Sequence, residues 1–328
     1  MEMGKMQLYI FNADYSCDVT NMVKQVVWTG KKSSAPRSLE ITMVDDYDQK
    51  RLDMRMVDGW TCQFYWDGEK LFEGILMKQN ITQAKENKLK AYDICVFLAN
   101  SKDSFSYEDH SVTFVVQDCI KRAGLLTGKI VSCKHIIDSL KKTKTTYYDA
   151  ICEAMSFAYK TYGERYYIRA NGGRVDFLRR KEETTQWVIE YGRNLTGYTY
   201  TDSIEKIKTR YRIYNKEGRL VKEYVNKSLE LKIGTLSEVD IADKDYTEAS
   251  LNQMVNNMIA ESGYPTKTLS VSAIGITSIM SGGCLYVIIP HLGLKQTFYV
   301  DEDKHTFKGE SHTMSLKLNF AKDIDAAG

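Results

Sequence analysis

Gly30-Lys31-Lys32-Ser33, inside the stretch 28-WTGKKSSAPRSLEITM-43, sets two ammonium groups and a hydroxyl beside a glycine, residue types that could hold an anion. A phosphate cradle needs G-x-x-x-x-G-K-[ST] opening a helix, so that free backbone N–H groups converge on the ligand. Here the first glycine is missing. Leu39, Ile41 and Met43 then alternate with Glu40 and Thr42, the period-two pattern of a half-buried strand. The stretch therefore reads as a basic connection between two strands, with Pro36 near its end. Lys31, Lys32 and Arg37 are the candidate interface cations at its rim.

His305 and His312, in 301-DEDKHTFKGESH-312 with Asp301 and Asp303, form the one local histidine cluster. Their spacing matches neither H-E-x-x-H nor a zinc finger. They are weak metal candidates, and the expectation is no metal, with both side chains bonded to backbone on a hairpin. The acidic run 45-DDYDQ-49 lacks the glycine and distal glutamate of a calcium loop. There is no G-x-S-x-G and no cysteine motif with a recognisable histidine partner, and no two carboxylates stand out as a glycosidase pair. The sequence thus predicts no catalytic residue and no cofactor.

The totals narrow the classes further. Lys+Arg 45 against Asp+Glu 43 gives a net charge of +2, far from the basic excess of a protein held to nucleic acid by phosphate contacts. A nucleic-acid-binding β-barrel is accordingly the weakest reading. Seven cysteines, odd in number and without a C-x-x-C pair, predict reduced thiols in a protein made in a cytoplasm. The opening MEMGKMQLYIFNADYS lacks the apolar core of a signal peptide, and runs such as 284-CLYVIIP-290 are too short to span a bilayer. Neither general secretion nor membrane insertion is expected.

These residues must be positioned mainly by strands, because 22 tyrosines and only 3 prolines favour β-structure with few long loops. Short strands fill residues 1–100, with Asp67-Gly68 as a hairpin turn, and predict a first small β-barrel or sandwich. Residues 101–190 predict an α+β domain. One helix lies within 111–128 and ends at Gly124. A second spans 145–163, and a hairpin turns on Asn171-Gly172-Gly173. Residues 191–328 return to strands, with an inserted hairpin and helix at about 216–264. Residues 68–93 and 293–320 share a Phe-containing strand, a charged turn and a second alternating strand, which hints at two related β-domains.

The strings 28-WTGKKSSAPRSLEITM-43, 67-DGEKLFEGIL-76 and 91-AYDICVFLANSKDSFSYED-109 together resemble the baseplate hub proteins of contractile phage tails. The branch they are most similar to is found in Gram-positive phages, prophages and phage-tail-like bacteriocins. The strings 146-TYYDAICEAM-155, 165-RYYIRANGGRVDFLRR-180, 203-SIEKIKTRYRIYNKEGRL-220 and 301-DEDKHTFKGESHTMSLKL-318 extend the resemblance over nearly the whole chain. It implies an α+β, mainly β fold in which two small β-barrel domains flank an α+β domain, in a ring-shaped homotrimer. It also implies a non-enzymatic adaptor between a sixfold tail tube protein and a threefold central spike protein, contacting other baseplate proteins. Its place would be the baseplate of a virion or tail-like particle assembled in the bacterial cytoplasm. Lys31, Lys32 and Arg37 would then contact a neighbouring subunit or the tube. The alternative is a tail-associated cell-wall hydrolase or glycan-binding protein.

Overall fold

The computed structural model describes residues 5–44, 59–82, 86–242 and 246–320. The acidic run 45–49 and the start of the charged turn at 84–88 lie outside the described residues. The chain divides into two compact units, Thr199–Leu269 and the remainder.

The remainder is built on strands whose burial alternates as the sequence predicts. β1 (Met6–Phe11), β2 (Ser16–Asp18), β3 (Val23–Lys31), β4 (Ser38–Val44), β5 (Thr61–Trp66), β6 (Glu69–Thr82) and β7 (Glu86–Tyr92) come first. Leu39, Ile41 and Met43 of β4 point inward, and the basic stretch is the connection from β3 to β4. Asp67 and Gly68 take left-handed backbone (φ 52° and 79°), as a tight turn between β5 and β6 requires.

An α+β portion follows: α1 (Val96–Asn100), β8 (Lys102–Ser111), α2 (Val112–Arg122), β9 (Leu126–Ile130), β10 (Ile136–Thr146), α3 (Tyr147–Tyr162), β11 (Tyr166–Asn171) and β12 (Arg174–Arg179). Ser111 Oγ accepts from the Phe114 N–H and Thr146 Oγ1 from the Asp149 N–H, which fixes both helix starts. One buried cluster includes Val116 and Ile120 of α2, Ile151 and Ala154 of α3, and Phe177 of β12.

The chain continues through β13 (Thr184–Glu190) and β14 (Leu195–Ser203) into the second unit. There β15 (Arg210–Tyr214) pairs with β16 (Leu220–Val225), α4 (Lys227–Ile233) follows, and β17 (Ser237–Ile241) lies parallel to β15. α5 (Glu248–Ser262) starts on a Thr247–Ser250 capping box and buries Leu251, Val255 and Met258 against Tyr211 and Ile213. β18 (Thr266–Ile274), β19 (Cys284–Ile289), β20 (Leu294–Lys308) and β21 (Ser311–Asn319) close the chain.

The two separate small barrels expected from sequence are not found: among the described residues there is no closed barrel. One thirteen-stranded sheet runs β14-β18-β21-β20-β3-β4-β7-β6-β5-β1-β2, with β19 branching from β20 to pair with β13. The physical reason is β20. Its residues 294–299 pair with β19, and its residues 302–307 pair with β3. The register against β21 shifts between Val300 and Glu302, where the partner changes, and such a bulge bends and re-aims a strand. Phe307 of β20 is buried among the N-terminal strands, 4.9 Å from the rings of both Phe64 and Trp66. All seven cysteines are free. Among the described residues no helix is long and apolar enough to cross a membrane.

Candidate interface site

The β3–β4 connection is tied down from below by β20. Antiparallel pairing sets Lys31 opposite Glu302 and Gly30 opposite Asp303, so three consecutive carboxylates run under the basic stretch. Each cation takes one of them. Lys31 Nζ lies 3.3 Å from Glu302, Lys32 Nζ 2.8 Å from Asp301, and Arg37 makes a two-pronged pair with Asp303, Nη1 to Oδ1 at 2.9 Å.

The three cations differ in exposure. The Lys31 side chain is half exposed, Lys32 is about a third exposed, and Arg37 is buried. The structure thus differs from the expected rim of three surface cations, because Arg37 turns inward. Its guanidinium lies over the Trp28 ring at 4.1 Å and reaches Ser281. Gly30 makes room for it, since a Cβ there would lie 2.0 Å from Arg37 Nη1. Asp303 also accepts the Ser281 N–H at 2.6 Å. Burial alone would raise the Asp303 carboxyl, and the Arg37 guanidinium more than reverses this, so it is held below the usual carboxylate range.

Asp301 is a second node. Arg180, almost wholly buried, donates to Asp301, Gly282 O and Val300 O at 2.8–3.0 Å. Burial would raise Asp301 too, but Lys32 and Arg180 bring it down. The Lys32 N–H donates to Asp301 O, and the Tyr148 hydroxyl of α3 donates to Lys32 O, so the connection is anchored on both sides.

The two weak metal candidates continue the same network. His305 is fully buried, and its Nε2 lies 2.9 Å from Ile279 O. A carbonyl only accepts, so Nε2 carries the proton and Nδ1 accepts from His312 Nε2 at 3.0 Å. Burial lowers both imidazoles, His312 to about 3, and each stays neutral. His305 thus serves the backbone through Nε2, whereas the bond of His312 runs to the His305 ring. Sequence reasoning found the cations but missed Asp301, Glu302 and Asp303 as their partners, and Arg180 as a further cation on Asp301. The available signal was 301-DED-303, three carboxylates matching three cations some 266 positions away.

The family matching residues 26–319 is the one described as YQBQ-like, and the match takes in the connection, β20 and the second unit. This chain belongs to that family. It is 30% identical over 303 residues to the phage-like element PBSX protein XkdQ of Bacillus subtilis (strain 168), spanning 90% of this chain and 92% of XkdQ. Among solved structures, the 43 kDa tail protein of prophage MuSo2 from Shewanella oneidensis superposes with a TM-score of 0.71 at 11% identity, over 95% of this chain and 97% of its own. The E. coli c3393 protein is described as a component of the type VI secretion system structurally similar to bacteriophage T4 tail proteins gp27 and gp5. It superposes with a TM-score of 0.56 at 9% identity, over 92% of this chain and 74% of its own. The resemblance to phage-tail baseplate proteins drawn from the sequence is borne out at the level of the family, and the fold is one that phage tail proteins use.

Proposed function

We propose that this chain is the structural hub of a contractile-tail baseplate, a homotrimeric adaptor that joins a sixfold tail tube to a threefold central spike and contacts other baseplate proteins. The observation carrying this is that the likeness to XkdQ and to the prophage tail protein runs through nearly the whole chain and not through one module. A heterologous contact repeated about a threefold axis closes into a ring, which suits such an adaptor. Its place is the baseplate of a virion or tail-like particle, assembled in the bacterial cytoplasm, and its role is non-enzymatic.

Of the three candidate cations, Lys31 and Lys32 remain able to reach a neighbouring subunit or the tube, because their ammonium groups stay exposed while Arg37 is buried. Arg37 acts beneath them as an internal support. The decisive measurement is the mass in solution with a negative-stain image. The hub predicts three times the 37.7 kDa chain mass and a ring with a lumen, in isolation or once tube and spike proteins are added. A chain that stays monomeric with both partners present sinks it. Reversing Lys31 and Lys32 to glutamate should leave folding intact and weaken assembly; unchanged assembly removes these two residues from the interface. Clearing of a purified cell-wall suspension would instead favour a hydrolase.

A further inference from the structure

At the C-terminal end of α3, away from the basic connection, three side chains with metal-ligand chemistry converge. Cys133 Sγ, a ring nitrogen of His135 and a carboxylate oxygen of Glu164 all lie within 4.8 Å of one another. The backbone presents them deliberately. Thr113, in the first turn of α2, donates its hydroxyl to Cys133 O at 3.1 Å and accepts the Cys133 N–H at 2.7 Å, while the Val112 N–H donates to His135 O. Cys133 and His135 stand two residues apart in the connection from β9 to β10. Glu164 follows Gly163, whose left-handed backbone (φ 73°) ends α3.

Each ring and carboxylate is also held in orientation. His135 stacks on Tyr162 with ring centroids 3.4 Å apart and planes 7° from parallel. Arg179 holds Glu164 Oε1, leaving Oε2 at 3.0 Å from His135 Nε2 and 2.6 Å from the Tyr166 hydroxyl. Cys133 is buried, whereas the His135 and Glu164 side chains are each 27% exposed, so an ion can enter from solvent.

We propose that Cys133, His135 and Glu164 bind one zinc-class cation, with a fourth position open to solvent or to the Tyr166 hydroxyl. The donor set of one sulfur, one imidazole nitrogen and one carboxylate oxygen selects the class: a thiolate disfavours magnesium and calcium, and zinc accepts all three donors. Two ligands each about 2.0–2.1 Å from a tetrahedral ion stand roughly 3.3 Å apart, so the His135–Glu164 pair needs to open by only a few tenths of an ångström. Binding forms the metal–sulfur bond as the Cys133 thiol proton leaves to solvent. Arg179 opposes the cation by charge. It sits on the outer oxygen of Glu164, where it orients the ligand as outer-shell partners do, and the negative end of α3 offsets part of its charge.

The test is titration of the whole purified chain, stripped with a chelator, with Co²⁺ as the probe ion. One equivalent should bind and give a near-ultraviolet thiolate-to-cobalt band, which Zn²⁺ displaces. Cys133→Ser should abolish the band, and His135→Gln should weaken Co²⁺ binding at least tenfold while leaving the far-UV circular dichroism unchanged. No band with the folded wild-type chain, a band that survives Cys133→Ser, or Co²⁺ binding by folded His135→Gln as tight as that of the wild type overturns the site. Should Cys133→Ser not fold, His135→Gln decides alone. The outcome is independent of whether the protein trimerises.

Discussion

Removing the guanidinium of Arg37 leaves Asp303 as an uncompensated carboxylate with no solvent exposure. Breaking a buried pair from one side typically costs about 3–5 kcal/mol, whereas replacing both partners by apolar groups costs far less. Arg37→Met should therefore lower unfolding free energy in urea by roughly that amount, and Arg37→Met with Asp303→Leu should recover most of it. A loss below about 1 kcal/mol in the single variant would show that the pair does not support the fold. The adjacent imidazoles give a pH signature. Both titrate near 6.5 when unfolded, and burial lowers both in the fold, His312 to about 3. Between about 3 and 6.5 the unfolded chain binds more protons, so stability is fully present above pH 6.5 and falls as pH drops through that window. Asp303 and Arg37 are the charged groups facing His305, and the lowered Asp303 carboxyl adds its own loss only below the ordinary carboxylate range. The thermal midpoint should thus fall between pH 7 and pH 5. His312→Phe, stacked as His312 is on Phe307 and seated on Gly275, should flatten that slope. An equal slope in the variant would place the acid sensitivity elsewhere.

At the scale of elements, what the sequence made legible was local. Asp67-Gly68, Gly124 and Gly163 each act within a few residues, so the hairpin and both helix ends could be placed from them. α5 was readable for the same reason, from its Leu251-to-Ile259 stripe. β20 was not. In the fold the carboxylates of Asp301, Glu302 and Asp303 meet Lys32, Lys31 and Arg37, and the strand continues to Lys308. No local pattern encodes a partner so distant in the chain. β8 and β10 were missed for another reason: each buries only two residues, Phe105 and Tyr107 in one, Ile137 and Leu140 in the other, too few for a clear period-two signal. The candidate site was half legible in the same way, its cations visible in one short stretch and their counter-charges hidden in another.

For the whole molecule, the unit Thr199–Leu269 has its own buried cluster around Tyr211, Val255 and Met258, and the chain enters and leaves it through β14 and β18, neighbours in the large sheet. A single core in a segment of that size is marginal by itself, so most of the stability of the chain should reside in the other unit. Replacing residues 204–265 by an Asn-Gly turn should therefore leave a folded protein, since Ser203 and Thr266 end adjacent strands. The shortened chain should keep a cooperative thermal transition within about 5 °C of the full-length midpoint. Loss of cooperativity would mean that the two units fold as one. With folding retained, the solution mass of the shortened chain locates self-association. If the full-length chain trimerises as proposed, a trimer of the shortened chain places the subunit contacts in the unit that also carries Lys31 and Lys32, whereas a monomer assigns them to the excised segment.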